Sequence, residues 1–283
     1  MHWQTTRFDI DLSTPQVMGI VNVTPDSFSD GGQHAGTSAA LAHCERLIHD
    51  GARLLDIGGE STRPGSPAVP LDEELARVLP VVREAVRLGV PVSVDTCKPE
   101  VMKAVLDAGA DIVNDIWALR RGAALDVVAT HPRCGVCLMH MHRDPQTMQV
   151  APMEGDVLPA VGAFLRDRAH ALVERGVAHE RIVLDAGVGF GKTVAQNFSL
   201  LARQNELMAL GWPMLAGWSR KSSLGAVTAR EVPAERVSAS VAAALLAVER
   251  GARVVRVHDV RETVDALRIW QAIQPGWVPP APR

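Results

Sequence analysis

No run of apolar residues in this 283-residue chain approaches the length of a membrane span. The greasiest stretch, residues 241–248, is broken by Glu249 and Arg250; a spanning helix needs about 20 apolar residues. The N-terminal MHWQTTRFDIDLS has acidic residues and no apolar core, so it does not read as a secretory signal. Nor does one sign of charge dominate: 29 Lys and Arg against 32 Asp and Glu leave a net charge of −3. That total argues against general nucleic-acid binding and still permits a local basic pocket for an anion. With 47% hydrophobic and 22% charged residues, the composition is that of a globular protein with one large core or two modest ones. The expectation is a soluble, cytoplasmic protein that binds neither membrane nor nucleic acid.

Cysteine is scarce: Cys44, Cys97, Cys134 and Cys137. Cys134 and Cys137 have the spacing of a redox or zinc pair, with His131, His140 and His142 close by. Cys137, however, lies in the strand-like run Val136-Cys-Leu-Met, where neighbours alternate faces. A pair placed there points its thiols to opposite sides, and at roughly 3.3 Å per residue His140 stands about 10 Å from Cys137. Zinc needs all its ligands within about 2.0–2.3 Å. Buried, reduced thiols are the better reading.

What is present is a repeated grammar: a helical pattern, a glycine, then a short apolar strand ending in polar residues. Gly51, Gly89, Gly109, Gly176, Gly211 and Gly251 each precede such a strand, the expected left-handed cap that turns a helix into the next element. Leu41, Cys44, Leu47 and Ile48 share a helical face, as do Leu75, Val78, Leu79 and Val82, and Val101, Ala104 and Val105. Pro99 suits a first helical turn after Lys98, whereas Pro80 should kink its helix. Adding residues 17–22 and 136–140 gives eight strands, most of them separated by the helical crossovers that parallel strands require. This predicts a single-domain (β/α)8 barrel over residues 16–273, with a doubly wound open sheet as the alternative. Residues 1–15 form an N-terminal lead-in, and residues 274–283 a Pro-rich tail with no packing pattern.

In a barrel the C-terminal strand ends converge on one mouth. Here they carry Asn22, Asp56, Asp95, Asn114 with Asp115, His140, Asp185, Ser219 and His258, joined by Lys221 and Arg256. One polar strand end is ordinary solvation; a whole ring predicts a site. Asp56 and Asp115 are the expected bystanders. Asp95, Asn114 and Asp185 suit a flat heterocycle with a guanidine-like N–H edge. Arg256 and His258 share a side of their strand and, with Ser61, Thr62 and Arg63, suit a phosphate-type anion. Asn22 offers a neutral oxygen to a hard cation such as Mg²⁺. Loops follow residues 22 and 58, long enough to be functional or disordered. The first sets Phe28 among polar residues.

One further motif, Gly187-Val-Gly-Phe-Gly-Lys192-Thr193, nearly matches a phosphate-cradling P-loop, but Ala186 stands at its first glycine position. A glycine-rich loop that lets substrate pass close to the backbone is the preferred reading.

Taken together in chain order, these stretches resemble the dihydropteroate synthases. The matching segments are MGIVNVTPDSFSDGG (18–32), DIGGESTRPG (56–65), SVDT (93–96), NDI (114–116), CLMHM (137–141), LDAGVGFGK (184–192), SRKS (219–222) and RVHDV (256–260). The likeness runs over almost the whole chain. It implies a (β/α)8 barrel, usually a homodimer, that joins a pterin pyrophosphate to p-aminobenzoate with Mg²⁺, pyrophosphate leaving first. Carried over by motif, Asp95, Asn114, Asp185 and Lys221 would bind pterin, with Met139 and Phe190 lining its pocket and Arg256 stacking on it. Asn22, Arg63 and His258 would surround the metal–pyrophosphate end. Thr62, Pro64, Phe190 and Ser219 would receive p-aminobenzoate, and Phe28 would close on the pyrophosphate and p-aminobenzoate side. Asp95, Lys221, Asn22, Arg256 and His258 would be the catalytic set, and the loops at 22 and 58–66 mobile lids. Ala186 departs from the family's usual proline. Two rivals stay open: a related pterin barrel that presents a methyl group to a corrinoid protein, and a catalytically silent pterin binder.

Overall fold

The computed structural model describes residues 1–23, 32–62 and 65–278, with side chains at 32–35 left out. Eight parallel strands close into a barrel. They are β3 (Gln16–Asn22), β4 (Leu54–Gly58), β5 (Val92–Asp95), β6 (Ile112–Asp115), β7 (Gly135–Met139), β8 (Ile182–Asp185), β9 (Met214–Ala216) and β10 (Ala252–Val257), which returns to pair with β3. Helices α1 (Gly32–His49), α2 (Leu71–Ala85), α3 (Pro99–Asp107), α4 (Ala124–Thr130), α5 (Leu158–Val173), α6 (Val194–Ala202), α7 (Gln204–Leu207), α8 (Ser222–Thr228), α9 (Val237–Glu249) and α10 (Val260–Ala272) fill the crossovers. The open-sheet alternative falls with this closure.

The glycines end helices as read from the sequence. Gly109 and Gly251 both have φ of 98°, a conformation that costs any residue with a Cβ. Pro99 opens α3 behind Lys98. Pro80 lies inside α2, which continues past it to Ala85. Outward-facing strand residues pack on the helices: Val92 and Val94 meet Val78, Val82, Val101 and Val105, while Val136, Leu138 and Leu184 meet Leu165 and Leu172.

The first twelve residues do more than lead in. The strands β1 (His2–Gln4) and β2 (Asp9–Asp11) form an antiparallel hairpin. Trp3, Ile10 and Leu12 join the inward residues Met18, Leu54, Ile112, Cys137, Val183, Leu215 and Val254, so the hairpin stoppers the N-terminal end of the barrel. Trp3 is fully buried and its indole Nε1 donates to Arg181 O at 3.0 Å.

Along four of the strands the inward side then turns polar, two residues on: Leu54 to Asp56, Ile112 to Asn114, Val183 to Asp185, Val254 to Arg256. Side chains two apart share a face, so one end of the interior is oil and the other a polar mouth. Cys134 packs in the outer layer and Cys137 inside the barrel, and all four cysteines are free and buried. Among the described residues, no helix is long and apolar enough to cross a membrane.

Candidate active site

Four strands supply the floor of the mouth. In register Gly58 stands beside Asp95, and Asp95 beside Asn114. Arg256 reaches across from β10: its Nε donates to Asp56 Oδ2 at 2.5 Å and its Nη2 to Asp95 Oδ2 at 2.9 Å. Asn114 Nδ2 donates to the same Asp56 oxygen at 3.1 Å. Asp56 is fully buried, and its other oxygen, like Ser93 Oγ on the neighbouring strand, has no hydrogen-bond partner among the described residues. Asp56 is therefore no bystander. It orients two residues assigned to pterin, a role that depends on a contact 200 residues away in the chain. Asp115 spends its carboxylate on the backbone N–H groups of Trp117 and Leu119, at 2.9 and 2.7 Å, holding a turn with positive φ at Ala118 and Leu119.

Burial pushes the Asp95 carboxyl up to about 7; Arg256 pulls it down, while Asp56 and Asp115 push it further up. Burial works against the charge on Arg256 too, but Asp56 and Asp95 outweigh it and its pKa stays above the ordinary arginine value.

The opposite wall is built by β8 and the loop after it. Asp185 Oδ1 accepts from Gly187 N at 2.7 Å, and its backbone O accepts from His140 N at 2.9 Å. The Lys221 ammonium stands 4.3 Å from the centroid of the Phe190 ring. Burial lowers the Lys221 pKa to about 8, with Asp185 opposing the shift. Met139 and Phe190 pack with Ile116, Met141 and Met148 in one apolar cluster. The predicted pterin set thus comes together: Asp95, Asn114 and Arg256 on the floor, and Lys221 on Phe190 beside Asp185.

Lys192 explains why the glycine motif is not a P-loop. Its Nζ, on a residue only 2% exposed, donates to Gly187 O at 2.8 Å and Phe190 O at 3.2 Å, and lies 2.9 Å from His140 Nδ1. A P-loop turns backbone N–H groups toward phosphate; here carbonyls turn inward on an ammonium. The fit is close: a Cβ at Gly187 (φ 66°) would lie 1.8 Å from His140 O. Burial lowers Lys192 to about 7 and, with Lys192 beside it, His140 to about 3. His140, a strand-end residue in sequence, is thus a neutral acceptor bound to the loop.

Ser219 Oγ accepts from His258 N at 3.1 Å and lies 3.0 Å from His258 Nδ1. Next to it Arg220, held at φ 59°, pairs with Asp259 at 2.5 Å. Thr62 and Asp95 line one cavity of about 240 Å³, together with Ser61, Trp117 and Arg121; Ser219, Phe190 and Lys221 are not in its wall. Arg63, Pro64 and Phe28 lie outside the described residues.

Asn22 ends β3 exposed at the mouth. Among the described residues no group of three or more His, Cys, Asp and Glu is placed to hold a metal ion. Asn22 offers one amide oxygen, a donor that a hard cation such as Mg²⁺ takes alongside substrate oxygens and water. These donors do not fit a caged zinc.

A profile of the pterin binding enzyme family matches residues 18–258. The dihydropteroate synthase of Neisseria meningitidis serogroup B is 49% identical over 276 residues, spanning 96% of this chain and 97% of that protein. Among solved structures, Xanthomonas albilineans dihydropteroate synthase with 4-aminobenzoic acid superposes with a TM-score of 0.89 at 54% identity, covering 96% of each chain. The Burkholderia cenocepacia dihydropteroate synthase complexed with 7,8-dihydropteroate gives 0.88 at 52%, again covering 96% of each. A polar barrel mouth with these residues in this order, matched from end to end at such identity, places the chain in the pterin-binding enzyme family, among the dihydropteroate synthases.

Proposed function

We propose that the chain joins 6-hydroxymethyl-7,8-dihydropterin pyrophosphate to p-aminobenzoate, releasing pyrophosphate and 7,8-dihydropteroate. The observation that carries this reading is the convergence of Asp95, Asn114 and Arg256 on one floor, with Lys221 on the facing wall. Acceptors on Asp95 and Asp185 and the amide of Asn114 meet the N–H edge of a pterin, and the Lys221 ammonium meets its carbonyl. Met139 and Phe190 give the ring an apolar slot, and Arg256 a cationic face to stack on.

Pyrophosphate departs first, leaving a cationic pterin methylene that the aniline nitrogen attacks. The ionised Asp95 carboxylate offsets that developing charge. Arg256 and His258, with Arg63, receive the departing anion. Mg²⁺, held through Asn22 and the substrate's own oxygens, would neutralise charge on the leaving group. Thr62, Pro64, Phe190 and Ser219 hold p-aminobenzoate, with Phe28 closing that side. The aniline is already a nucleophile, so no activated serine or cysteine is needed.

A pair of such chains is the proposed working unit, since Ile269 on α10 and Ile273, Trp277 and Val278 beyond it are large exposed apolar side chains. A cytoplasmic location goes with the free, unpaired state of the four cysteines.

Lys221→Ala tests the assignment. It should abolish most dihydropteroate formation while the far-UV spectrum stays native; near-normal turnover would remove the pterin role given to Lys221.

A further inference from the structure

Away from the strand-end ring, one ammonium ties together the two ends of the segment that carries Thr62. Lys98 caps α3 in extended backbone (φ −96°, ψ 120°) ahead of Pro99, three residues after Asp95. Its Nζ donates to Oε2 of Glu60 and to Oε2 of Glu74. Glu60 follows β4 and precedes Thr62 by two residues; Glu74 stands in the first turn of α2. A second cation repeats the tie, since Arg77 Nη1 donates to Gly59 O at 2.6 Å. The strand end also lies tight on α2: a Cβ on Gly59 would stand 2.7 Å from Val78 Cγ1.

This clasp is largely out of water. The Glu74 side chain is 1% exposed and its Oε1 has no hydrogen-bond partner among the described residues, while the Lys98 side chain is 18% exposed. Burial pulls the Lys98 pKa down, but its bonds to the two carboxylates outweigh that and raise it. An ion pair in water is worth little, whereas removing one partner of a buried pair leaves an uncompensated charge. Glu60, Glu74, Ser61, Thr62 and Asp95 all line that same cavity, so the clasp's two carboxylates belong to the wall that carries Thr62.

We propose that Lys98 is a positioning residue for the p-aminobenzoate end of the site, acting through Glu60 to fix where Thr62 stands relative to Asp95. The proposal rests on the reading of Thr62 as a p-aminobenzoate contact. Lys98 is assigned no substrate contact of its own; Glu60, two residues before Thr62, carries its effect toward p-aminobenzoate.

The test varies each substrate in turn for full-length Lys98→Met, Lys98→Arg and Glu60→Gln, at a temperature where circular dichroism shows each variant folded. Lys98→Met and Glu60→Gln should raise the KM for p-aminobenzoate about five- to tenfold, leaving kcat and the pterin pyrophosphate KM within about twofold. Lys98→Arg keeps the charge and both donors and should recover most of the loss. If Lys98→Met does not fold, Glu60→Gln carries the test, because it leaves the Lys98–Glu74 pair intact. An unchanged p-aminobenzoate KM in folded Glu60→Gln, or an equal rise in both KM values, overturns the proposal. Wild-type protein that forms no dihydropteroate would instead remove the reading on which it rests, and the same assay shows which has failed.

Discussion

Arg256, on the last strand of the barrel, holds Asp56 on the second at 2.5 Å and Asp95 on the third at 2.9 Å. Three charged side chains from strands far apart in sequence thus form one rigid unit under the mouth. Asp56 also receives Asn114, so a residue outside the proposed substrate contacts orients two that are proposed to make them.

Asp56→Asn keeps the shape and removes the charge. Arg256 then keeps only Asp95, and kcat/KM for the pterin pyrophosphate should fall roughly 10- to 100-fold in a protein that still folds. Steady-state kinetics with native circular dichroism checks this; a value within twofold of wild type would mean that Arg256 does not depend on Asp56.

The two perturbed groups proposed to face the pterin give a pH window. Asp95 must be ionised, which holds above its pKa of about 7, and Lys221 must carry its proton, which holds below about 8. Activity in kcat/KM should therefore rise with pH through the first value and fall through the second, since that quantity reports the free enzyme. A flat profile from about pH 6 to 10 would contradict both assignments.

Lys192 makes a prediction about binding by failing to make one. With its ammonium spent on Gly187 O and Phe190 O, the glycine loop offers nothing to a nucleotide, and ATP should leave the thermal midpoint unmoved. Lys192→Met removes the charged donor from both carbonyls, leaving Gly187 O only Phe190 N at 3.1 Å and Phe190 O only His142 N at 3.5 Å. A bond to a charged group is worth about 1.5–3 kcal/mol, so the urea midpoint should fall clearly. Stabilisation by ATP would restore the P-loop reading.

At the other end of the barrel, Trp3→Ala opens the stopper. Loss of a fully buried indole should cost about 3–5 kcal/mol while both KM values stay unchanged at temperatures where the protein remains folded. Altered KM without lost stability would show that the hairpin communicates with the mouth.

The barrel was legible because its cause is local. Each helix–glycine–strand unit declares itself within about 25 residues, and period-two parity puts Asp95, Asn114, Asp185 and Arg256 at one end. What stayed hidden depends on who meets whom across the barrel. Nothing near Asp56 announces Arg256, and nothing near Lys98 announces Glu60 and Glu74. Ala186 had already set the P-loop aside; what the sequence could not show is that the loop's carbonyls turn inward on Lys192, because the glycine pattern records the backbone's freedom and not its direction. The hairpin escaped because three-residue strands such as His2–Gln4 are too short to show a period.

The most direct measurement is pyrophosphate release from 6-hydroxymethyl-7,8-dihydropterin pyrophosphate with Mg²⁺, with and without p-aminobenzoate, alongside dihydropteroate by mass. Expected are pyrophosphate and dihydropteroate in equal amounts when both substrates are present. Tight pterin binding with no pyrophosphate release under either condition would contradict the synthase reading and dissolve the anion site assigned to Arg256 and His258.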